Sequence, residues 1–188
     1  MPAKKPMHSE EIYQIKVTLR GSKPPIWRRI QVSGEITLGQ LHRVLQVVMN
    51  WWDYHLHEFD IAGKSYGNPE FDDPMFAPAP IDEDSVKLSK LHLKRKTKFS
   101  YLYDFGDNWE HGLLVEEVLQ PEPGTHYPVC TAGKKAAPPE DCGGIGGYYA
   151  FLEAVADPKH PEHEEMIEWL EDDFDPEAFD VEEINRRL

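Results

Sequence analysis

Tyr101-Leu102-Tyr103-Asp104-Phe105-Gly106-Asp107-Asn108-Trp109-Glu110-His111 is the stretch whose reading decides the fold of this chain. Tyr101, Tyr103 and Phe105 alternate with Leu102 and Asp104, the period-2 pattern of a strand. Gly106-Asp107-Asn108 is turn chemistry, because Gly and Asn tolerate positive φ and Asp hydrogen-bonds to nearby backbone. Alternation resumes at Trp109 and runs through Leu113, Val115 and Val118. The segment therefore predicts a β-hairpin, with strands near 99–105 and 109–118. It gathers Asp104, Asp107, Glu110 and His111 near one tip.

Amphipathic segments flank this hairpin. Residues 1–10 read as a loose tail. Tyr13, Ile15, Val17 and Leu19 predict a strand near 12–20, and Ile26, Ile30 and Val32 a second near 26–32. Thr37 and Gln40 fit a capping box, and Leu38, Leu41, Leu45, Val48 and Trp52 recur at helical spacing, so a helix is expected over 37–51. His42 falls off that stripe and reads as solvated or rim-located. A strand near 55–62 would set His55, His57, Phe59 and Ile61 on one face. The Pro- and Asp-rich residues 68–84 read as a mobile loop, and Gln120–Gly147 as a long irregular connection. Helical segments from Tyr148 to Ala156, around Met166, Trp169 and Leu170, and around Phe179, Ile184 and Leu188 complete the chain. The expected class is α+β: a mainly antiparallel sheet packed on one helix, with an acidic helical segment over 148–188, all in a single domain spanning 1–188.

Of the net charge of −14, a net −13 lies between Glu153 and Glu183, where fourteen acids meet one base, Lys159. The body is thus close to neutral. Its one basic cluster, Lys87, Lys90, Lys94, Arg95, Lys96 and Lys98, is expected to lie under part of the acidic segment. No apolar run reaches the roughly 18 residues of a membrane span, and the first residues lack a hydrophobic signal core. Cys130 and Cys142 are too few for a disulfide scaffold. A cytoplasmic protein is expected.

Three separated stretches concentrate ionisable groups at strand ends or in glycine-rich turns: His55 and His57; Asp104, Asp107 and His111; Glu140 and Asp141. Loops on a rigid frame favour such sites, so the three are expected to converge. Clustered acids repel unless a cation, an arginine or shared protons offset them. His55, His57, Asp104, Asp107 and His111 are ligand types for a hard or borderline divalent metal, whereas Arg28 and Arg29 would serve as structural ion-pair partners.

Six motifs in order resemble the plasmid Ri ORF-3-like family, also met as passenger proteins of bacterial insertion elements. They are Pro24-Pro25-Ile26-Trp27-Arg28-Arg29, Leu41-His42, Trp51 through His55-Leu56-His57-Glu58-Phe59, Tyr103 through His111, Tyr127-Pro128, and Pro138-Pro139-Glu140-Asp141-Cys142-Gly143-Gly144. The resemblance spans residues 11–188 and implies an α+β fold without an activity. The residues themselves speak against a recombinase and against sequence-specific nucleic-acid binding. A recombinase needs a nucleophile among clustered arginines and a basic DNA-binding element, and here the basic cluster is short. A non-catalytic binding module for a protein partner asks for the least. The alternative is a metal-dependent hydrolase, which needs a carboxylate to take a proton from water at an open coordination position.

Overall fold

The computed structural model describes residues 11–71, 79–170 and 174–188. The expected tail at 1–10 and the centre of the expected loop, 72–78, lie outside the described residues.

The strands are β1 (Ile12–Leu19), β2 (Trp27–Ser33), β3 (His57–Ile61), β4 (Lys64–Gly67), β5 (Ile81–Asp82), β6 (Lys98–Tyr103), β7 (Trp109–Leu119) and β8 (Val129–Lys134). The helices are α1 (Leu38–Met49), α2 (Gly144–Ala156), α3 (His163–Trp169) and α4 (Val181–Arg187). The fold is α+β. All eight strands form one sheet, in the order β5-β4-β3-β6-β7-β1-β2-β8, antiparallel except where β4 meets β5. The decisive hairpin forms as read, with Tyr101 opposite His111 and Tyr103 opposite Trp109.

The capping box is present. Thr37 Oγ1 accepts from the Gln40 backbone N–H, and Gln40 Oε1 accepts from the Thr37 N–H. Asn50, in the left-handed conformation, ends α1. Leu38, Leu41, Leu45 and Val48 are buried with the inward residues of the central strands.

Several expectations need correction. His42 is buried, because Tyr101 and Asp53 bring polar partners to its flank of the helix. His55 precedes β3 and does not share a strand face with His57; the chain passes through positive φ at Asp53 and bends at His55 before pairing begins. The expected loop 68–84 supplies β5 and a 3-10 turn over Glu83–Ser85, with Glu83 buried. The irregular 120–147 segment contains β8, an edge strand whose Thr131-Ala132-Gly133-Lys134 carries no apolar alternation to reveal it. The helix expected from Tyr148 starts at Gly144.

Among the described residues, no ion pair joins the acidic segment to the basic cluster. Lys87 pairs with Glu35 at 3.0 Å and Arg95 with Glu117 at 2.9 Å. The C-terminal part goes to the other end of the sheet instead. There Asn185 binds both the N–H and the carbonyl of Cys130 (2.7 and 2.9 Å), which occupies part of the open edge of β8.

Leu45 is 1% exposed in the centre of this packing. Leu45→Ala should destabilise the protein by about 2–5 kcal/mol, read as a lowered urea midpoint with unchanged slope.

Candidate functional site

The site is built where three segments meet at one end of β3, β6 and β7. The first is a strap, residues 50–56, between α1 and β3. Trp51 turns inward, donates from Nε1 to the Pro138 carbonyl at 2.9 Å and stacks on Tyr103 with ring centroids 5.0 Å apart. The strap's backbone donors are held by side chains: Trp52 N–H by Glu140 Oε2 (2.8 Å), Asp53 N–H by Gln46 Oε1 (3.1 Å), Tyr54 N–H by the Tyr103 hydroxyl oxygen (3.0 Å). The Tyr103 hydroxyl in turn donates to Glu140 Oε1 at 2.5 Å. Burial and this carboxylate push the Tyr103 hydroxyl pKa well up, so it stays protonated as a donor.

The second segment is the hairpin tip and the third the Glu140–Gly147 turn. Asp107 Oδ2 accepts from the Gly143 N–H at 3.0 Å. Gly144, at φ +68°, lies so close that a Cβ there would sit 2.3 Å from the Asp107 carbonyl oxygen, and a Cβ at Gly147 would sit 1.8 Å from that of Cys142. The glycine run that opens α2 is thus what lets this turn reach the tip.

His55, Asp104, Asp107, Glu140 and Asp141 are therefore brought together. His55 Nε2 lies 2.9 Å from Asp141 Oδ1 and 3.7 Å from Asp104 Oδ2. His57 and His111 are not in that group. His57 turns to the other side of the cleft, where its Nε2 meets Glu83 Oε2 at 2.8 Å. His111 is wholly buried against Trp51 and Tyr101, and burial pushes its pKa down to about 4. It shares the inward phase of Trp109, Leu113 and Val115 on β7, which carries it into the core and away from the tip. Arg29 forms an ion pair with Glu116 at 2.5 Å, remote from these groups. Arg28 is buried and donates to three carbonyls, of Val48, Trp27 and Lys134, beneath the Phe179 ring; no carboxylate among the described residues pairs with it. Burial lowers its pKa to about 10, so it remains charged at neutral pH.

Sequence reasoning missed His42, Asp53 and Glu83. His42 Nε2 meets Asp53 Oδ1 at 2.8 Å and Nδ1 meets the Tyr101 hydroxyl at 2.8 Å. The partners assign the protons. Nε2–H donates to the carboxylate, Nδ1 accepts from Tyr101, and Tyr101 accepts from Gln46 Nε2 at 2.9 Å. Burial lowers the His42 pKa, which agrees with this neutral tautomer. The His42 and His57 rings stack with centroids 3.4 Å apart and planes within 4° of parallel. The capping box that places His42 on α1 was legible, but its burial was not, because the carboxylates that claim these rings come from the strap and from the Glu83 turn, at no fixed sequence spacing.

Between these groups opens a cleft of about 500 Å³, walled by His42, Asp53, His57 and Glu83, with Arg43, Glu58 and Asp84 at its polar edge and Tyr54, Leu56 and Phe105 at its apolar one. Trp52, Tyr54 and Phe105 are 69%, 74% and 54% exposed.

An α+β sheet carrying an imidazole–carboxylate cleft at one end of its central hairpin defines the class. The chain belongs to the plasmid pRiA4b ORF-3-like protein family, which it matches over residues 11–183. It is 39% identical over 179 residues to the uncharacterized protein y4hQ of Sinorhizobium fredii, covering 94% of this chain and 90% of that one. It is also similar to the crystal structure of a protein of unknown function, MM3350, from Methanosarcina mazei Go1. The identity is 41% and the TM-score 0.82, over 93% of this chain and 98% of that one. No helix among the described residues is long and apolar enough to cross a membrane.

Below pH about 6.5 the unfolded chain takes up protons at His42 and His111 that the folded chain resists, His111 down to about 4. Stability should therefore be fully present above about 6.5 and fall as the pH drops through that window, by up to about 3 kcal/mol from His111. Urea unfolding at pH 7 and pH 4.5 should show a smaller acid loss in His111→Phe than in the parent protein.

Proposed function

We propose that the protein is a non-catalytic interaction module whose cleft binds a peptide segment of a protein partner, one that carries basic and apolar side chains. The observation that carries this reading is the strap. Tyr54 and Leu56 are exposed on it and line the cleft with Phe105, and Trp52 is exposed on the same strap, while the backbone donors at 52, 53 and 54 are each held by a side chain. Exposed aromatics grouped at one rim are uncommon on a surface without a partner, and Trp and Tyr dominate binding hot spots. A rigid strap adds to this, since no loop has to be ordered on association.

The polar half of the cleft supports the charge of the partner. Asp53, Glu58, Glu83 and Asp84 outnumber Arg43, and Arg43 already lies 3.7 Å from Asp84. A lysine or arginine of the ligand would complement that wall, with its stem against Tyr54 and Phe105. The imidazoles favour a wall over a reaction centre: both ring nitrogens of His42 are committed, and His57 is tied to Glu83. The alternative, a metal-dependent hydrolase, draws on the separate grouping of His55, Asp104 and Asp141.

A randomised decapeptide library should yield ligands enriched in Lys or Arg next to Leu or aromatic residues. Tyr54→Ala and Phe105→Ala should each weaken the best ligand at least about ten-fold, the loss of more than 1 kcal/mol that marks a hot spot, with unchanged circular dichroism. Enrichment of acidic peptides, or affinities indifferent to both substitutions, would count against the reading.

A further inference from the structure

One atom at the meeting of the three segments lacks what buried polar atoms ordinarily have. His55 Nε2 is shielded from solvent and makes no hydrogen bond of acceptable geometry, although two carboxylates face it. Buried side-chain nitrogens are nearly always paired, so an orphan asks for an explanation. Asp104 stands beside it. It is 7% exposed; its Oδ1 accepts from the Gly106 N–H at 2.8 Å, and its Oδ2 faces His55 Nε2 at 3.7 Å. No lysine or arginine among the described residues forms an ion pair with Asp104 or Asp141, so two carboxylates are gathered around one imidazole without a fixed cation.

We propose that His55, Asp104 and Asp141 bind a divalent first-row metal ion. Their ligand atoms all lie within 4.8 Å of one another. Ligands about 2.1 Å from a common ion stand about 3.0 Å apart at octahedral angles and about 3.4 Å apart at tetrahedral ones. The 2.9 and 3.7 Å separations from His55 Nε2 bracket those values. An ion among them would take the lone pair of Nε2 and the Oδ2 of Asp104 at once. One imidazole with two carboxylates is a borderline donor set, suited to Zn²⁺ or Mn²⁺ more than to Ca²⁺, which takes six to eight oxygens. Three protein ligands leave coordination positions open. The surroundings hold the ligands in place: Asp107 fixes the glycine turn behind Asp141, and Glu140 fixes the strap before His55.

A second grouping, His42, Asp53 and His57, is equally compact but geometrically unfit. Its rings are parallel at 3.4 Å. An ion shared midway would lie about 1.7 Å out of each ring plane, and imidazole nitrogens bind metals with an in-plane lone pair. Both Nε2 atoms are also spoken for by Asp53 and Glu83. That pair is a wall, and the site at His55 is the metal centre.

The test is calorimetric titration of the full chain, stripped with EDTA, with Zn²⁺ and separately with Mn²⁺. One ion per chain is expected for at least one of the two metals, with a rise in Tm on binding. Asp141→Asn should weaken that metal at least about ten-fold. Asp141 is exposed and at positive φ, a conformation that Asn adopts readily, so this variant should keep the fold even if Asp104→Asn does not. His126→Ala, an exposed histidine elsewhere, should leave binding unchanged. Binding of neither metal, binding unaffected by Asp141→Asn, or binding lost in His57→Ala but kept in Asp141→Asn would each overturn the proposal.

Discussion

The tip of the β6–β7 hairpin meets the first turn of α2 at a distance that only glycine permits. The Asp107 carbonyl oxygen occupies the space a Cβ on Gly144 would need, and the Asp107 carboxylate holds the Gly143 N–H. This contact decides where Glu140 and Asp141 fall, because both stand just before the glycine run. Glu140 then reaches the Tyr103 hydroxyl and the Trp52 N–H, which fixes the strap, and the strap fixes His55 and the exposed aromatics. One close approach between a turn and a hairpin thus organises the whole end of the sheet.

A second layer of order comes from neutral histidines. His42 is buried between a hydroxyl and a carboxylate, and the carboxylate is the half-exposed Asp53 of the strap. His111 is buried among aromatic rings with neither nitrogen in a well-formed hydrogen bond. The two differ in consequence. His42 ties helix α1 to the strap and to β6, so it carries structure to the cleft. His111 is part of the core beneath Trp51, and its polar atoms cost stability that the surrounding aromatic packing offsets.

Charge is laid out along the sheet. The last part of the acidic C-terminal segment packs on β8, where Asn185 occupies part of the strand edge and Phe179 covers Gly133 and Arg28. Of the basic residues before β6, Lys87 pairs with Glu35 and Arg95 with Glu117. Opposite signs in one small chain did not bring these segments together, because exposed ion pairs contribute only about 0–1 kcal/mol each, while burial of apolar surface directs the packing.

The hairpin, the first two strands, the capped helix and the α+β class were all legible in the sequence. Each rests on local chemistry: alternation, helical spacing, a Thr/Gln capping box, a Gly-Asp-Asn turn. Of the seven groups expected to converge, His55, Asp104, Asp107, Glu140 and Asp141 do, while His57 and His111 do not. The edge strand β8, the burial of His42 and His111, the separation of His55 from His57 and the carboxylates that claim the stacked rings were decided only by the tertiary structure. Period-2 and period-3.6 patterns record which face of an element is apolar. They do not record which distant polar group arrives to make burial of a histidine tolerable, or where a positive φ, as at Asp53, turns one side chain away from its neighbour.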